Sequence, residues 1–450
     1  MVIFLWRKSN ATRKGETALK IAIYTLGCKV NQYETQAMER ELLRRGHALT
    51  GFDGPADAYI VNTCTVTAVS DKKCRNIIRR ARKNAPSAVV AVCGCYAQTE
   101  PETAAALGVD LVSGSAGRMD FLDRLEKLLQ SREGQVVEVD RALSRRDFER
   151  LPAGGAAGRT RAMLKVEDGC VNFCAYCIIP YARGPVRSLP LDEAAEQARG
   201  LAGEGYREVV LTGIEISSWG QDLKTGQTLT DLIEAVCAAA PELRVRLGSL
   251  EPRTVTEDFC RRCAALPNLC PHFHLSLQSG CDATLKRMNR KYDTARYIKS
   301  VGLLRKYFDC PGITTDLIVG FPGETEEELA QTLAFAEKCA FSAMHVFPYS
   351  KRPGTPAAAM PDQVSKGEKE ERARRAIDLA ARMERRWLEG QVGKTLPVLF
   401  EEEKDGRWQG HAPNYAMVRA KGEGLHNRLR NVRIAGVEEE ALTGALCDEG

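Results

Sequence analysis

Short apolar runs alternate with helical periodicities through the first 130 residues. Residues 21–24, 58–61 and 88–92 read as strands. Apolar positions at helical spacing follow over 31–45 and 69–84, and a later helix at 117–129 puts Phe121, Leu125 and Leu128 on one face. Strand–helix–strand–helix order predicts a parallel sheet with right-handed crossovers. The unit recurs further on: strands predicted at 162–166, 208–212, 243–247, 273–277, 313–319 and 343–347 are separated by helical patterns near 192–203, 228–240, 254–265, 294–308 and 325–339. Six units predict a partial parallel (β/α)6 barrel, shorter than the closed eight-unit form. A charged helix is expected at 365–388. Strand-like runs at 395–400, 406–410, 416–419 and 430–434, broken by turn residues, then predict a small β-barrel. The fold class is α/β, with domains expected over 20–130, 161–388 and 389–450 and a ragged tail over 1–19. A linker is expected over 131–160, where Arg141, Arg145, Arg146 and Arg150 crowd and Gly154, Gly155 and Gly158 loosen the chain.

This order has a chemical consequence. Cys28, Cys64 and Cys95 each fall just past the end of one of the first three strands. Those ends share one edge of an open parallel sheet, where ligands bind, so topology alone gathers three cysteines far apart in sequence. The 450 residues include 16 cysteines. A secreted disulfide scaffold would be short and loop-rich. In a long alternating chain the excess points to metal or redox chemistry in a reducing compartment, and a cytoplasmic location is expected. No apolar run is long enough to span a bilayer, and no membrane partner is expected. The apolar opening, residues 1–6, precedes Arg7 and Lys8, the reverse of a secretory order. The net charge of +5 is too mild to argue for a nucleic-acid partner by itself.

The strongest local signal is Cys170-Val-Asn-Phe-Cys174-Ala-Tyr-Cys177, directly after the first barrel strand, with Gly169 before it and Pro180 after it. Three thiolates on one tight loop suit an iron–sulfur cluster, and three ligands in place of four leave one iron open. A core helix with cysteines at i, i+4 and i+7 is the bland alternative; the glycine and the strand-end position weigh against it. Zinc also takes thiolates but wants a fourth ligand, and the loop offers no histidine. Cys93 and Cys74 read as structural. Cys237, Cys260, Cys263, Cys270, Cys281, Cys310, Cys339 and Cys447 read as small buried hydrophobes, despite the Cys-x2-Cys spacing of the Cys260 pair.

The Cys-x3-Cys-x2-Cys loop, with an aromatic residue before its third cysteine, resembles the radical S-adenosylmethionine (SAM) superfamily. Thr25-Leu-Gly-Cys28-Lys-Val-Asn31, Asn62-Thr-Cys64, Gly94-Cys95-Tyr-Ala-Gln98 and Asp168-Gly-Cys170 through Ile178-Ile-Pro-Tyr-Ala-Arg-Gly184 are together similar to the methylthiotransferase family, from Lys20 to about Leu442. The resemblance implies two 4Fe-4S clusters: one on Cys28, Cys64 and Cys95, carrying the sulfur to be inserted, and one on Cys170, Cys174 and Cys177, binding SAM. It implies two SAM molecules, one giving a methyl group to that sulfur and one cleaved to the radical that removes an unactivated hydrogen. No catalytic residue beyond the clusters is assigned. Candidate SAM contacts are Tyr176, Gly213 in Thr212-Gly-Ile-Glu215, Ser249 with Glu251 nearby, and Gln278. Asp316 lies in the fifth strand. Each is weak alone, and their recurrence at successive strand ends is what counts. His272, His274, Ser276 and Gln278 alternate onto one face, which either lines the barrel interior or packs with ordinary hydrogen bonds.

Thr63-Cys-Thr-Val-Thr67, Asp71-Lys-Lys73 and Tyr181-Ala-Arg-Gly-Pro185 look most like the branch of the family that acts on N6-threonylcarbamoyladenosine next to the anticodon of tRNA. Isopentenyladenosine in tRNA and an aspartate of a ribosomal protein are the family's other substrates. A non-catalytic iron–sulfur RNA-binding protein is the rival of another class. The C-terminal region resembles the TRAM RNA-binding domain, and Arg419, Lys421, Arg428 and Arg430 are candidate RNA contacts; Tyr415 is read as either a base-stacking or a barrel-core residue. The basic stretch with Lys72, Lys73, Arg79 and Arg80 is more often a solvated helix face than a binding site. The family implies tRNA, a flavodoxin- or ferredoxin-like electron donor and a sulfur source as partners.

Overall fold

A computed structural model describes residues 18–131, 134–155 and 160–447. Most of the expected tail and Gly158 of the expected linker lie outside the described residues. The first domain is a parallel sheet of β1 (Lys20–Thr25), β2 (Ala48–Thr50), β3 (Ala58–Thr63), β4 (Val89–Gly94), β5 (Leu111–Ser113) and β6 (Val136–Glu138), in the order β2-β1-β3-β4-β5-β6. The central strands β3 and β4 are buried on both faces, as their near-continuous apolar sequence requires. Helices Lys29–Arg44 and Arg118–Ser131 and helix Ala68–Asn84 sandwich the sheet through two separate apolar clusters.

The stretch expected as a linker is built into the structure. Val136–Glu138 adds an edge strand to the sheet, pairing Leu111 with Val136. Phe148, Leu151 and Ala153 are buried in the same core as the barrel, and Tyr33 Oη donates to Leu151 O at 2.6 Å. Apolar side chains inside a charged stretch carried the signal; the arginines around them obscured it.

The second domain contains β7 (Arg161–Lys165), a short antiparallel pair β8 (Glu167–Asp168) and β9 (Arg187–Ser188), then β10 (Glu208–Thr212), β11 (Arg244–Leu247), β12 (Ser249–Leu250), β13 (His272–Leu275), β14 (Gly312–Val319) and β15 (Ala343–Pro348). The third barrel strand breaks at Gly248. Its first half, β11, pairs with β10, and its second half, β12, pairs with β13. The result is the six-unit partial barrel, with β7 and β15 as its two edges. The first domain lies across both edges. Lys165 at the end of β7 forms an ion pair with Glu34 at 3.7 Å, and beyond β15 Arg352 bonds Thr65 Oγ1 at 2.6 Å while Ser350 Oγ accepts from Ala68 N at 3.0 Å.

Helix Lys366–Glu389, opened by a Ser365/Glu368 capping box, packs on the barrel. The chain ends in a closed barrel of β16 (Thr395–Lys404), β17 (Arg407–His411), β18 (Met417–Ala420), β19 (Leu429–Glu438) and β20 (Ala441–Leu446), ordered β16-β17-β18-β20-β19. The fifth strand, Ala441–Leu446, has no counterpart in the sequence reading. Its Thr-Gly-Ala stretch lacks the β-branched and aromatic alternation that marks the others. Loop residues 411–415 of this barrel plug the amino-terminal end of the larger one. Arg244 and Arg246 donate to His411 O at 3.1 Å and Pro413 O at 2.8 Å, and Glu208 beneath them pairs with Arg161, Arg244 and Arg246.

Candidate iron–sulfur and SAM centre

The three strand-end cysteines of the first domain come together. Cys28 caps helix Lys29–Arg44, Cys64 follows β3 immediately, and Cys95 opens helix Cys95–Thr99 straight after β4. Gly94 turns the chain from strand to helix at φ +100°, and a Cβ there would stand 2.5 Å from Thr63 O, so only glycine fits. Burial pushes the Cys95 thiol up to about 12, raised further by Cys64 and Cys28 and opposed by Arg183. Burial likewise raises Cys64. Cys93 faces the opposite layer, among Phe121, Leu122 and Leu125, because the chain leaves strand geometry at Gly94; Cys93 and Cys95 therefore do not share a face. Cys74 is buried and donates from Sγ to Cys64 O at 3.3 Å, a structural thiol behind the three strand-end cysteines.

The second set lies on the loop after β8. Gly169, at φ +97°, precedes Cys170; a Cβ on it would meet Pro185 O at 2.0 Å. Cys177 N donates to Cys174 O, and Ala175 N to Met288 O, each at 2.9 Å, which folds the loop tightly. Burial raises the Cys177 thiol to about 12, helped by neighbouring Cys174, and pushes Cys170 up as well. Thiols become ligands only as thiolates, so loading metal here would release protons.

The donor sets fit clusters. Each offers three thiols, and each places a buried guanidinium on one sulfur: Arg183 Nε is 3.2 Å from Cys95 Sγ, and Arg290 Nη1 is 3.1 Å from Cys174 Sγ. Arg290 also keeps a buried Nη2 without a hydrogen-bond partner, and Glu167 keeps a buried Oε1 in the same state. Such cations offset the negative charge of a thiolate-bound cluster. Among the described residues no three His, Cys, Asp or Glu side chains converge as around a single metal ion. A cluster does not require that, since each of its cysteines holds a different iron.

Around these loops stand the expected strand-end residues. Tyr176 packs beside Met288, Phe321 and Tyr349 and senses Arg290. Gly213 abuts Glu167, whose Oε2 accepts from Glu215 N at 2.7 Å. Burial raises the Glu215 carboxyl to about 7 against the pull of Arg290. Gln278 is held at φ +65° by backbone bonds of 2.9 Å to Asp316 and Ile318. Gly213 and Ser249 line a cavity of about 970 Å³ that also takes in Cys28, Lys29, His272, His274, Asp316 and His345, and at its other wall Trp387, Tyr415 and Arg419. Of the polar face expected on the fourth strand, His272 and His274 thus line the barrel interior. Thr314 Oγ1 bonds His272 at 3.2 Å and His274 at 3.0 Å, and His274 pairs with Asp316 at 3.3 Å.

The chain matches the Radical SAM superfamily over residues 164–336 and the uncharacterized protein family UPF0004 over residues 20–114. It is 39% identical to a threonylcarbamoyladenosine tRNA methylthiotransferase, MtaB, of Bacillus subtilis, over 92% of this chain and 93% of that protein. It is 36% identical to the MtaB of Thermotoga maritima, over 95% and 97%. The chain belongs to the radical SAM methylthiotransferase family. This methylthiotransferase is also 32% identical, over 95% of its length and 97% of the relative's, to a tRNA-2-methylthio-N6-dimethylallyladenosine synthase of Pelotomaculum thermopropionicum. In fold it is similar to the radical SAM methyltransferase TsrM of Kitasatospora setae, with a TM-score of 0.55 at 18% identity, covering 75% of each chain.

Three residues of the methylthiotransferase stand elsewhere than expected, and five were overlooked. Tyr415 is not in the core of the small barrel but on the cavity wall. It sits at φ +72° in the plugging loop, stacked on His272 and His411 with centroids 4.5 and 4.7 Å away and with the Arg246 guanidinium 4.8 Å from its ring centre. Cys310 is exposed and itself left-handed (φ +43°) just before β14, and Cys447 is half-buried. Of the candidate RNA contacts, Arg419 reaches the cavity and pairs with Glu439 at 3.3 Å; Lys421 and Arg428 are exposed, and Arg430 lies on β19, which is separated from Arg419's strand by β20. Lys72, Lys73, Arg79 and Arg80 form an exposed helix face. The overlooked residues are Lys29, Glu34, Glu167, Arg183 and Arg290. The first four lie in or beside a cysteine motif, which was the available signal; Arg290 lies 116 residues from the cysteine it meets. No helix among the described residues is long and apolar enough to cross a membrane.

Proposed function

We propose that this chain converts N6-threonylcarbamoyladenosine in tRNA to its 2-methylthio derivative in the cytoplasm. Cys28, Cys64 and Cys95 hold one 4Fe-4S cluster, and Cys170, Cys174 and Cys177 hold the other beside SAM. The observation that carries the reading is the cavity through the barrel. It has Cys28 on one wall and Tyr415 and Arg419 of the C-terminal barrel on another, and its volume of about 970 Å³ suits an extruded modified nucleoside. The names of the most similar curated relatives support the same substrate. When bound, the two clusters and SAM supply radical hydrogen removal and the methylthio group.

The chain's own residues do the rest. Gly94 and Gly169 shape the two ligand loops, and Arg183 and Arg290 set the charge beside them. Tyr176, Gly213, Ser249 and Gln278 are the proposed SAM contacts, at the carboxyl ends of the strands. The N-terminal domain lies over the open side of the barrel and limits water there, which a reactive radical requires. Arg419, Lys421, Arg428 and Arg430 are proposed to meet the tRNA backbone, so binding weakens with salt. A flavodoxin- or ferredoxin-like donor and a sulfur source complete the reaction.

The test is nucleoside mass analysis of bulk tRNA from a host lacking its own methylthiotransferases, with and without this gene. A new methylthio form of threonylcarbamoyladenosine is expected. A methylthio isopentenyl form alone would overturn the substrate. No new nucleoside, with soluble cluster-bearing protein, would overturn the activity on tRNA in favour of the ribosomal-protein aspartate or a non-catalytic role.

A further inference from the structure

The loop that carries Cys170, Cys174 and Cys177 brings apolar side chains to the protein surface. Val171 is 49% exposed and Phe173 40%, and Tyr181, on the short helix Ile179–Arg183 that follows, is 40% exposed. The rings of Phe173 and Tyr181 meet edge to face with centroids 5.8 Å apart. Phe173 takes a left-handed backbone (φ +45°), a costly conformation for an aromatic residue, and its ring is not buried in return. An apolar patch rimmed by polar residues marks a contact with another molecule.

The rim here is basic. Asn289 Nδ2 donates to Phe173 O at 2.9 Å, and Lys291 Nζ donates to Asn289 Oδ1 at 2.8 Å. From Lys291 a groove runs past Arg253, Arg296 and Lys299, with Glu257 and Asp293 as its acids. Lys291 and Arg253 also border the cleft at Cys174, with Arg290 and Glu251. Groove and cleft together set five cations against three carboxylates. Glu257 is further shared with Lys306 at 2.6 Å, and the Arg296 guanidinium donates to Arg253 O, Val255 O and Ser300 Oγ, none of them an acid. Neither the apolar patch nor the groove lines the central cavity, so this face is separate from the substrate chamber.

We propose that Val171, Phe173 and Tyr181, flanked by Lys291 and Lys299, form the docking face for a small acidic flavoprotein that delivers single electrons at the Cys174 loop. The proposal rests on the cluster reading above. The apolar edge of the flavin covers the exposed side chains, and the carrier's carboxylates meet the lysines. Bound RNA would also meet the cations, but Val171 and Phe173 offer its phosphates nothing. In the step served, the anionic flavin hydroquinone gives up one electron and becomes the neutral semiquinone, iron held by the cysteine loop is reduced by that electron, and no proton or bond is exchanged.

The experiment uses reconstituted full-length protein, without oxygen, and two reductants: flavodoxin in its hydroquinone form, and reduced methyl viologen, a small cation. Cluster reduction is followed by loss of visible absorbance on rapid mixing, and iron content and tRNA binding are measured alongside. With flavodoxin the wild-type rate is expected to fall as salt rises. The double variant Lys291→Glu/Lys299→Glu is expected to lose about 10- to 100-fold in that rate at low salt. Tyr181→Ser is expected to lose about fivefold at any salt. Methyl viologen should reduce both variants at least as fast as wild type. Wild-type flavodoxin rates in both variants overturn the proposal, and so does a loss confined to tRNA binding, which would assign the groove to RNA. If a variant fails to load iron, or is slowed equally with both reductants, wild-type protein cross-linked to flavodoxin through lysine–carboxylate amide bonds decides: links at Lys291 or Lys299 are expected, and links only elsewhere overturn the proposal. A wild-type protein that neither reductant reduces overturns the cluster reading and the proposal together.

Discussion

Replacing Glu34 with glutamine removes one charge from the centre of the contact between the first domain and the barrel. Glu34 is fully buried. Arg118 donates to its Oε2 at 2.8 Å, Arg183 grips Oε1 and reaches Oε2 at 3.2 Å, and Lys165 stands 3.7 Å away. Burial alone would raise the carboxyl's pKa, but Arg118, Arg183 and Lys165 together hold it well below the ordinary range. Glutamine keeps the shape and one acceptor oxygen and leaves three buried cations short of an anion. Arg118 would retain Gly114 O at 3.1 Å and Ala116 O at 3.3 Å; Arg183 would retain Asn31 Oδ1 at 2.9 Å and the Cys95 sulfur. Breaking a buried pair by removing one partner costs about 3–5 kcal/mol, and the remaining acceptors place this change at the lower end, about 3 kcal/mol. Hydrogen exchange is the suitable assay, because a multidomain chain need not unfold in one step. Amides in helix Lys29–Arg44 and in segment Ile179–Arg183 should exchange roughly 100-fold faster in Glu34→Gln, by the tenfold-per-1.4 kcal/mol rule. Amides of the C-terminal barrel should be unchanged. Acceleration below about threefold, or equal acceleration everywhere, would refute the claim that this charge cluster clamps the two domains.

Three further outcomes follow from the same structure. Cys64→Ala and Cys174→Ala should each lower iron from about eight to about four atoms per chain, and the double variant should hold none; a single variant that keeps full iron removes that cysteine from the ligand set. Gly169→Ala should stop loading of the Cys170 set while sparing the other, since its Cβ would meet Pro185 O at 2.0 Å, and normal SAM cleavage by that variant would contradict the geometry. Glu208, which burial would raise, is held well below the ordinary carboxylate range by Arg246, Arg244 and Arg161. A depressed folded-state pKa gives stability that is full above the unfolded value and lost as pH falls through the folded one. Exchange protection of loop 411–415 should therefore be flat from pH 8 to about 5 and fall only in stronger acid, whereas Glu208→Gln should lose that protection at neutral pH, by about 3 kcal/mol; protection that drops between pH 8 and 6 would argue against the carboxylate as the anchor.

The sequence by itself determined the repeating strand–helix units, the six-unit barrel and the gathering of Cys28, Cys64 and Cys95 at one sheet edge. Those features follow from local periodicity and from the rule that parallel strands point their ends the same way. It also marked Cys170, Cys174 and Cys177, because these three cysteines are contiguous on one loop. What tertiary structure alone decided are the relations between distant segments. Glu34 and Arg183 are ordinary charged residues in sequence; only the docking of one domain on another removes both from water and makes their pairing obligatory. Tyr415 could not be placed from its neighbours, because its partners His272 and Arg246 come from two other strands of another domain. Phe148 and Leu151 were hidden among charged residues, since composition averages over directions that the fold separates. Lys29 was legible as part of a cysteine motif, but its place on the cavity wall depends on its domain docking against the barrel. Periodicity fixes which face of an element is apolar; which element covers that face, and which charges are trapped beneath it, is settled only when the whole chain has packed.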